Sequence, residues 1–157
     1  MRRLLLFGVA LLPLALFGLG SDAMAGQTDG INGEGGRPFT AILLGANERP
    51  VIATNSDLKG TAKVTINLGQ NELCWDLDYT TSQHVVAAHI HHAPAGAPGP
   101  IIFGFFNPPA SAVPVNSGCR EGAHALLEDI AEHPGDYYVN VHTTMFPGGA
   151  GRGQLTK

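Results

Sequence analysis

TAKVTINLGQNELCWDLDYT, residues 61–80, carries the signal that decides the fold. Ala62, Val64, Ile66 and Leu68 alternate with Thr61, Lys63, Thr65 and Asn67. A period of two describes a strand with one face buried. Gly69-Gln70-Asn71 has turn composition, and beyond it Leu73, Trp75, Leu77 and Tyr79 alternate with Cys74, Asp76, Asp78 and Thr80. The two runs predict an antiparallel hairpin. Asp76 and Asp78 share a strand face, but with Thr80 beside them they read as a solvated outer surface, not as a carboxylate pair for acid–base work.

Working outward, the same period predicts strands at Phe39–Leu44, Val85–His91, Pro100–Phe106, Tyr137–Thr143 and Arg152–Thr156. One segment departs from it. Ala123, Leu126, Leu127 and Ile130 follow helical spacing, and Pro134-Gly135 stops the run, which predicts one short helix inside about residues 122–133. Proline and glycine crowd the connections 94–100, 107–114 and 147–151. Six or seven short strands over one domain predict an all-β, immunoglobulin-like antiparallel β-sandwich with Greek-key connections.

The N-terminal region reads differently. Arg2 and Arg3 precede an apolar run from Leu4 to Leu19, and Ala23-Met24-Ala25 offers a small-x-small cleavage pattern. Residues 1–25 are therefore expected to be a signal peptide, leaving no membrane span in the mature form. Residues 26–37 are glycine-rich and polar and read as a flexible leader, so the folded domain is expected over 38–157. The chain carries a net charge of −4, which becomes −5 once residues 1–25 are removed. Without a basic run, that balance argues against nucleic acid or anionic lipid as a partner. An exported destination, periplasmic or secreted, also suits the pair Cys74 and Cys119, which reads as a disulfide. Closing a 45-residue loop would stabilise the fold by roughly 4 kcal/mol in the chain-entropy picture.

Several phrases fall in a definite order. Gly45-Ala46-Asn47-Glu48-Arg49-Pro50-Val51 follows the first strand, and Ala88-His89-Ile90-His91 precedes Pro94-Ala95-Gly96 and Gly99-Pro100-Ile101. Tyr137-Tyr138-Val139-Asn140-Val141-His142-Thr143, Phe146-Pro147-Gly148-Gly149 and Arg152-Gly153-Gln154-Leu155 close the chain. Together they resemble the chordin-type (CHRD) domain over about residues 38–157. The resemblance implies an immunoglobulin-like sandwich, an extracytoplasmic setting and a non-enzymatic binding or structural module without an established reaction. Ala150-Gly151 stands where the family pattern favours an acidic and an aliphatic residue, which predicts a looser turn there.

The histidines carry the sharpest chemistry. His89 and His91, two apart on a strand, project from one face with Cα atoms about 6.5–7 Å apart. Such a pair can converge on one metal ion, and His142 on a later strand would complete a three-histidine set with an open position, suited to copper or zinc. The plainer alternative has these rings hydrogen-bonding loop backbone, with His142 and Asn140 fixing the 146–151 loop. Glu48 is expected to satisfy a loop backbone or to reach the metal. His92 faces the opposite way, and His84, His124 and His133 are weaker candidates. A looser likeness to copper–zinc superoxide dismutase puts His89, His91, His142 and Arg152 in corresponding places. It lacks a convincing bridging histidine, a clustered zinc-ligand set and the long electrostatic loop. The partner to be expected is therefore a metal ion or an unknown protein.

Overall fold

The computed structural model describes residues 35–49, 55–107 and 113–157. The signal peptide expected over 1–25, most of the expected leader, and Pro50 and Val51 of the first motif lie outside the described residues. The strands are β1 (Arg37–Leu44), β2 (Lys59–Asn67), β3 (Glu72–Thr80), β4 (Val85–His92), β5 (Ile101–Phe106), β6 (Ser117–Glu121), β7 (Tyr137–Thr143) and β8 (Gly151–Gln154). The helix, α1, spans His124–Glu132.

The hairpin at 61–80 forms as the alternation predicts, with Ala62 paired to Leu77, Val64 to Trp75 and Ile66 to Leu73. Its turn places Asn71 at φ 53, a left-handed conformation that asparagine tolerates better than most residues. Ala62, Val64, Ile66, Leu73, Trp75 and Leu77 are buried on one face, while Asp76, Asp78 and Thr80 are exposed on the other. The acidic pair is thus a solvated surface.

All eight strands are antiparallel to their neighbours and make one ladder in the order β5-β4-β7-β8-β1-β2-β3-β6. Where strand number and connections predict two separate Greek-key sheets, the ladder is a single sheet that curls into a near-barrel. Its two halves join through β8 and β1 by a short seam, Leu44 opposite Arg152 and Thr40 opposite Thr156. Alternation reports which face of a strand is buried but not which strand lies beside it, so this join is invisible in the sequence.

The edges of the curled sheet approach each other. Arg120 of β6 donates from Nη1 to the Gly104 carbonyl of β5 at 2.9 Å, and Trp75 stacks on Phe105 with centroids 5.0 Å apart. Apolar side chains of both halves, including Phe39, Leu43, Ile90, Val139 and Leu155, fill the interior. α1 closes one side with Leu127, Ile130 and Ala131. Burying each large side chain contributes about 1.5–3 kcal/mol, so this shared interior is what holds the halves together.

Cys74 and Cys119 form the disulfide, with sulfurs 2.06 Å apart and Cα atoms 4.0 Å apart. They are directly opposed on β3 and β6, which ties the edge strand to the central hairpin. β6 itself is not predicted by the sequence, because Ser117–Glu121 is polar and shows no buried face.

Candidate functional site

β4 and β7 pair over nearly their full length, and their side chains divide cleanly. Ala88, Ile90, Val139 and Val141 point into the core. His89 lies opposite Asn140, His91 opposite Tyr138, and Ala87 opposite His142, so these residues share the other face. β8 continues that face with Arg152 opposite Asn140 and Gln154 opposite Tyr138. Register shifts in β4 fall beside the histidines, at Val85/Ala87, Ala88/His89 and Ile90/His91. Bulges of this kind re-aim side chains.

His89, His91 and His142 come together. One ring nitrogen from each lies within 4.8 Å of the others. His89 Nδ1 stands 3.1 Å from His142 Nε2. His142 Nδ1 is 3.0 Å from the Pro147 carbonyl oxygen, and His91 Nδ1 is 2.9 Å from that of Gly99. A carbonyl only accepts, so both Nδ1 atoms must carry hydrogen, and each Nε2 keeps its lone pair. The Nε2 of His91 is buried and has no hydrogen-bond partner among the described residues. A buried acceptor without a partner costs about 1–3 kcal/mol, a penalty that a coordinated cation would remove.

Burial holds the rings neutral. It pushes the His89 imidazole down to about 4, helped by the neighbouring His142 and His91. Burial also lowers His91 and His142, against the raising effect of their backbone acceptors. Neutral imidazole is the form that binds metal.

Two loops position the rings. The Gly99 amide donates to the Tyr138 hydroxyl at 3.2 Å, and Tyr138 stacks on His91 with centroids 4.8 Å apart. Arg152 lies over the same tyrosine, 4.2 Å from its centroid, and donates to the Ala97 carbonyl. The second loop is tighter than its Ala150-Gly151 sequence predicts. Ala150 is fully buried, and a Cβ on Gly151 would stand 2.3 Å from Leu58 Cδ2, so an aliphatic residue there would displace Leu58. Gly149 sits at φ +135, where a Cβ would come within 2.5 Å of Glu48 Oε2.

Glu48 is buried at 3% exposure, with Asn140 Nδ2 3.4 Å from its Oε2. Burial raises its carboxyl to about 7, opposed by Arg152, by Asn140 and, less, by Arg49. Glu48 Oε1 and Asn140 Oδ1 have no protein partner among the described residues. Glu48, Asn140 and Arg152 therefore form a buried polar group on the face that carries the histidines, and Glu48 borders the loop that orients His142.

The remaining histidines lie elsewhere. His92 stacks on Tyr137, His124 meets Asn71, and His133 pairs with Asp129. The other cluster of potential donors among the described residues, Glu72 with Cys74 and Cys119, is used by the disulfide. No zinc-type cluster accompanies the triad among the described residues, so the dismutase likeness gains no support there. The bonds of His91 to Gly99 and of His142 to Pro147 are the loop-backbone contacts that the plainer reading of the histidines expects, whereas Tyr138 is a support that the sequence reading does not single out. The signal for it is an aromatic residue that comes to lie opposite a histidine once β4 and β7 pair.

The fold and this face define a small, disulfide-linked antiparallel β domain with a largely buried histidine cluster on the sheet face turned away from the core. A family model described as the CHRD domain matches residues 39–155, and the chain belongs to that family. Neither a curated protein nor a solved structure matches the chain. CHRD domains occur in extracellular proteins. Among the described residues, no helix is long and apolar enough to cross a membrane.

Proposed function

We propose that this chain is an exported, non-enzymatic CHRD module that holds one zinc or copper ion on His89, His91 and His142. The observation that carries the reading is the state of His91. Its Nδ1–H is committed to Gly99, and its buried Nε2 lacks a protein partner beside the two other imidazoles. Metal-bound histidines are commonly oriented this way, by donating the second ring nitrogen to an oxygen. Ligand nitrogens bound to one ion at about 2.0–2.1 Å stand at most roughly 4 Å apart; His89 and His142 already meet that limit, and small side-chain rotations would fit all three rings to an ion. Three nitrogens would leave a coordination position open, and Glu48, Asn140 and Arg152 would support the site from behind. Export is supported by the signal-type N-terminal sequence, the disulfide and the extracellular setting of the family.

Metal analysis of the purified protein tests this proposal. Wild type is expected to retain about one equivalent of zinc or copper after dialysis, and the His89→Ala/His91→Ala variant none. Equal retention by both would overturn the reading.

A further inference from the structure

The end of the face nearest the 93–100 loop holds a second feature, a pocket of about 260 Å³ beside Arg152. Asn47, Arg49, Arg152 and Gln154 line it together with backbone of the 95–96 turn, and no acidic residue does. Arg152 is 3% exposed, yet no carboxylate among the described residues comes within 4.0 Å of its guanidinium. Its hydrogen bond among the described residues is the one from Nη1 to Ala97 at 2.9 Å, which leaves most of a five-donor fork uncommitted. The Tyr138 ring fixes the fork in place. Glu48 acts on Arg152 through space but is not hydrogen-bonded to it, and a buried cation without a bonded anion is costly.

The other walls are already committed. Gln154 spends its amide hydrogens on the carbonyls of Ala93 and Gly135, and Asn47 Nδ2 donates to the Arg152 carbonyl. Arg49 sends Nη1 to the carbonyls of Ala46 and Glu48, which holds its guanidinium at the rim. The charge facing the pocket is therefore that of two arginines, one buried and one at the mouth. Planar guanidinium forks match two-oxygen groups, in which each charge-assisted bond is stronger than a neutral one.

We infer that the pocket between Arg49 and Arg152 binds one small oxyanion, a carboxylate or a phosphate group. The inference does not rest on metal binding by the histidines. The anion would supply the hydrogen-bonded anionic partner that Arg152 lacks among the described residues and would fasten the 45–49 segment to the 93–100 loop.

The test uses protein stripped of metal by a chelator and then dialysed free of it, so that metal-bound anion cannot mimic the site. Inorganic phosphate and acetate are titrated separately by calorimetry at constant ionic strength, with chloride as the balancing ion. Saturable one-to-one binding of either probe is expected, and the stronger probe identifies the class of oxyanion. Arg49→Gln should weaken binding by about tenfold or more, as loss of a charge-assisted bond does. Lys63→Gln, which removes an exposed charge on β2, should leave it unchanged. Arg152→Gln should abolish binding if it folds, and Arg49→Gln decides the matter if it does not. Absence of saturable binding by both probes overturns the inference, as does equal binding by wild type and Arg49→Gln.

Discussion

The Nδ1 of His142 stands 3.0 Å from the carbonyl oxygen of Pro147, so the loop after β7 decides which nitrogen of that ring is free. His91 has the same relation to Gly99 across the other loop. Neither acceptor is a side chain. The tautomers are set by where two Pro/Gly-rich segments bring their backbone, and those segments are held by Tyr138, Arg152 and the packing at Gly149 and Gly151.

Tyr138→Phe should expose this dependence. The variant keeps the ring over His91 but loses the hydroxyl that receives the Gly99 amide. Zinc affinity measured by calorimetry is expected to fall by about tenfold at unchanged stoichiometry, the lower end of the loss typical of outer supporting groups. An affinity equal to that of wild type would mean that the loop orients His91 without the tyrosine.

Glu48 sets a pH dependence of stability opposite to that of a salt-bridged acid. Its folded value of about 7 lies above the ordinary 4.5, so the folded state binds the proton more tightly. That contribution is fully present below about 4.5 and is lost as the pH rises through 7. Glu48→Gln mimics the protonated group and should therefore stabilise the metal-free protein at pH 8 while doing little at pH 4.5. The shift bounds the gain at about 3 kcal/mol, and solvent reaching the carboxyl and loss of attraction to Arg152 reduce it. Urea denaturation at the two pH values measures the difference. A variant less stable than wild type at pH 8 would show that the pairing with Arg152 outweighs burial.

The disulfide fixes an edge. Cys74→Ser/Cys119→Ser frees β6, whose polar residues bury little, from the hairpin strand β3. A loss of about 2–4 kcal/mol is expected in urea, matched by reduction of the wild-type protein. β6 reaches the histidine strands through β5, where Arg120 bonds Gly104 opposite His89, and none of the three histidines is on β6, so metal stoichiometry should survive under conditions where the variant stays folded. Loss of both together would mean that the edge also holds the site.

Much of the site's geometry was legible at 88–91 and 137–143. Ala88, Ile90, Val139 and Val141 are apolar at every second position, so the residues between them had to share the opposite face. What alternation cannot supply is the partner strand, and His142 meets His89 only because β7 pairs with β4. The near-barrel and β6 were not legible for a similar reason: a polar strand pinned by Cys119 has no apolar period. The hairpin, the helix and the cysteine pair were legible because each rests on a local pattern or on the residue type itself. The tightness around Gly149 and Gly151 is tertiary, arising from Glu48 and Leu58, which lie far away in sequence.

The central claim is that His89, His91 and His142 hold the metal as a set, and His92 provides the sharpest contrast. It is the next residue after His91, is exposed, and stacks on Tyr137 away from the triad. Zinc stoichiometry should therefore be measured by calorimetry on wild type, His142→Ala and His92→Ala, with folding of each checked by circular dichroism. About one zinc per chain is expected for wild type and His92→Ala, and none at the same concentration for folded His142→Ala. Unchanged zinc binding by His142→Ala, or equal loss in His92→Ala, would contradict that claim.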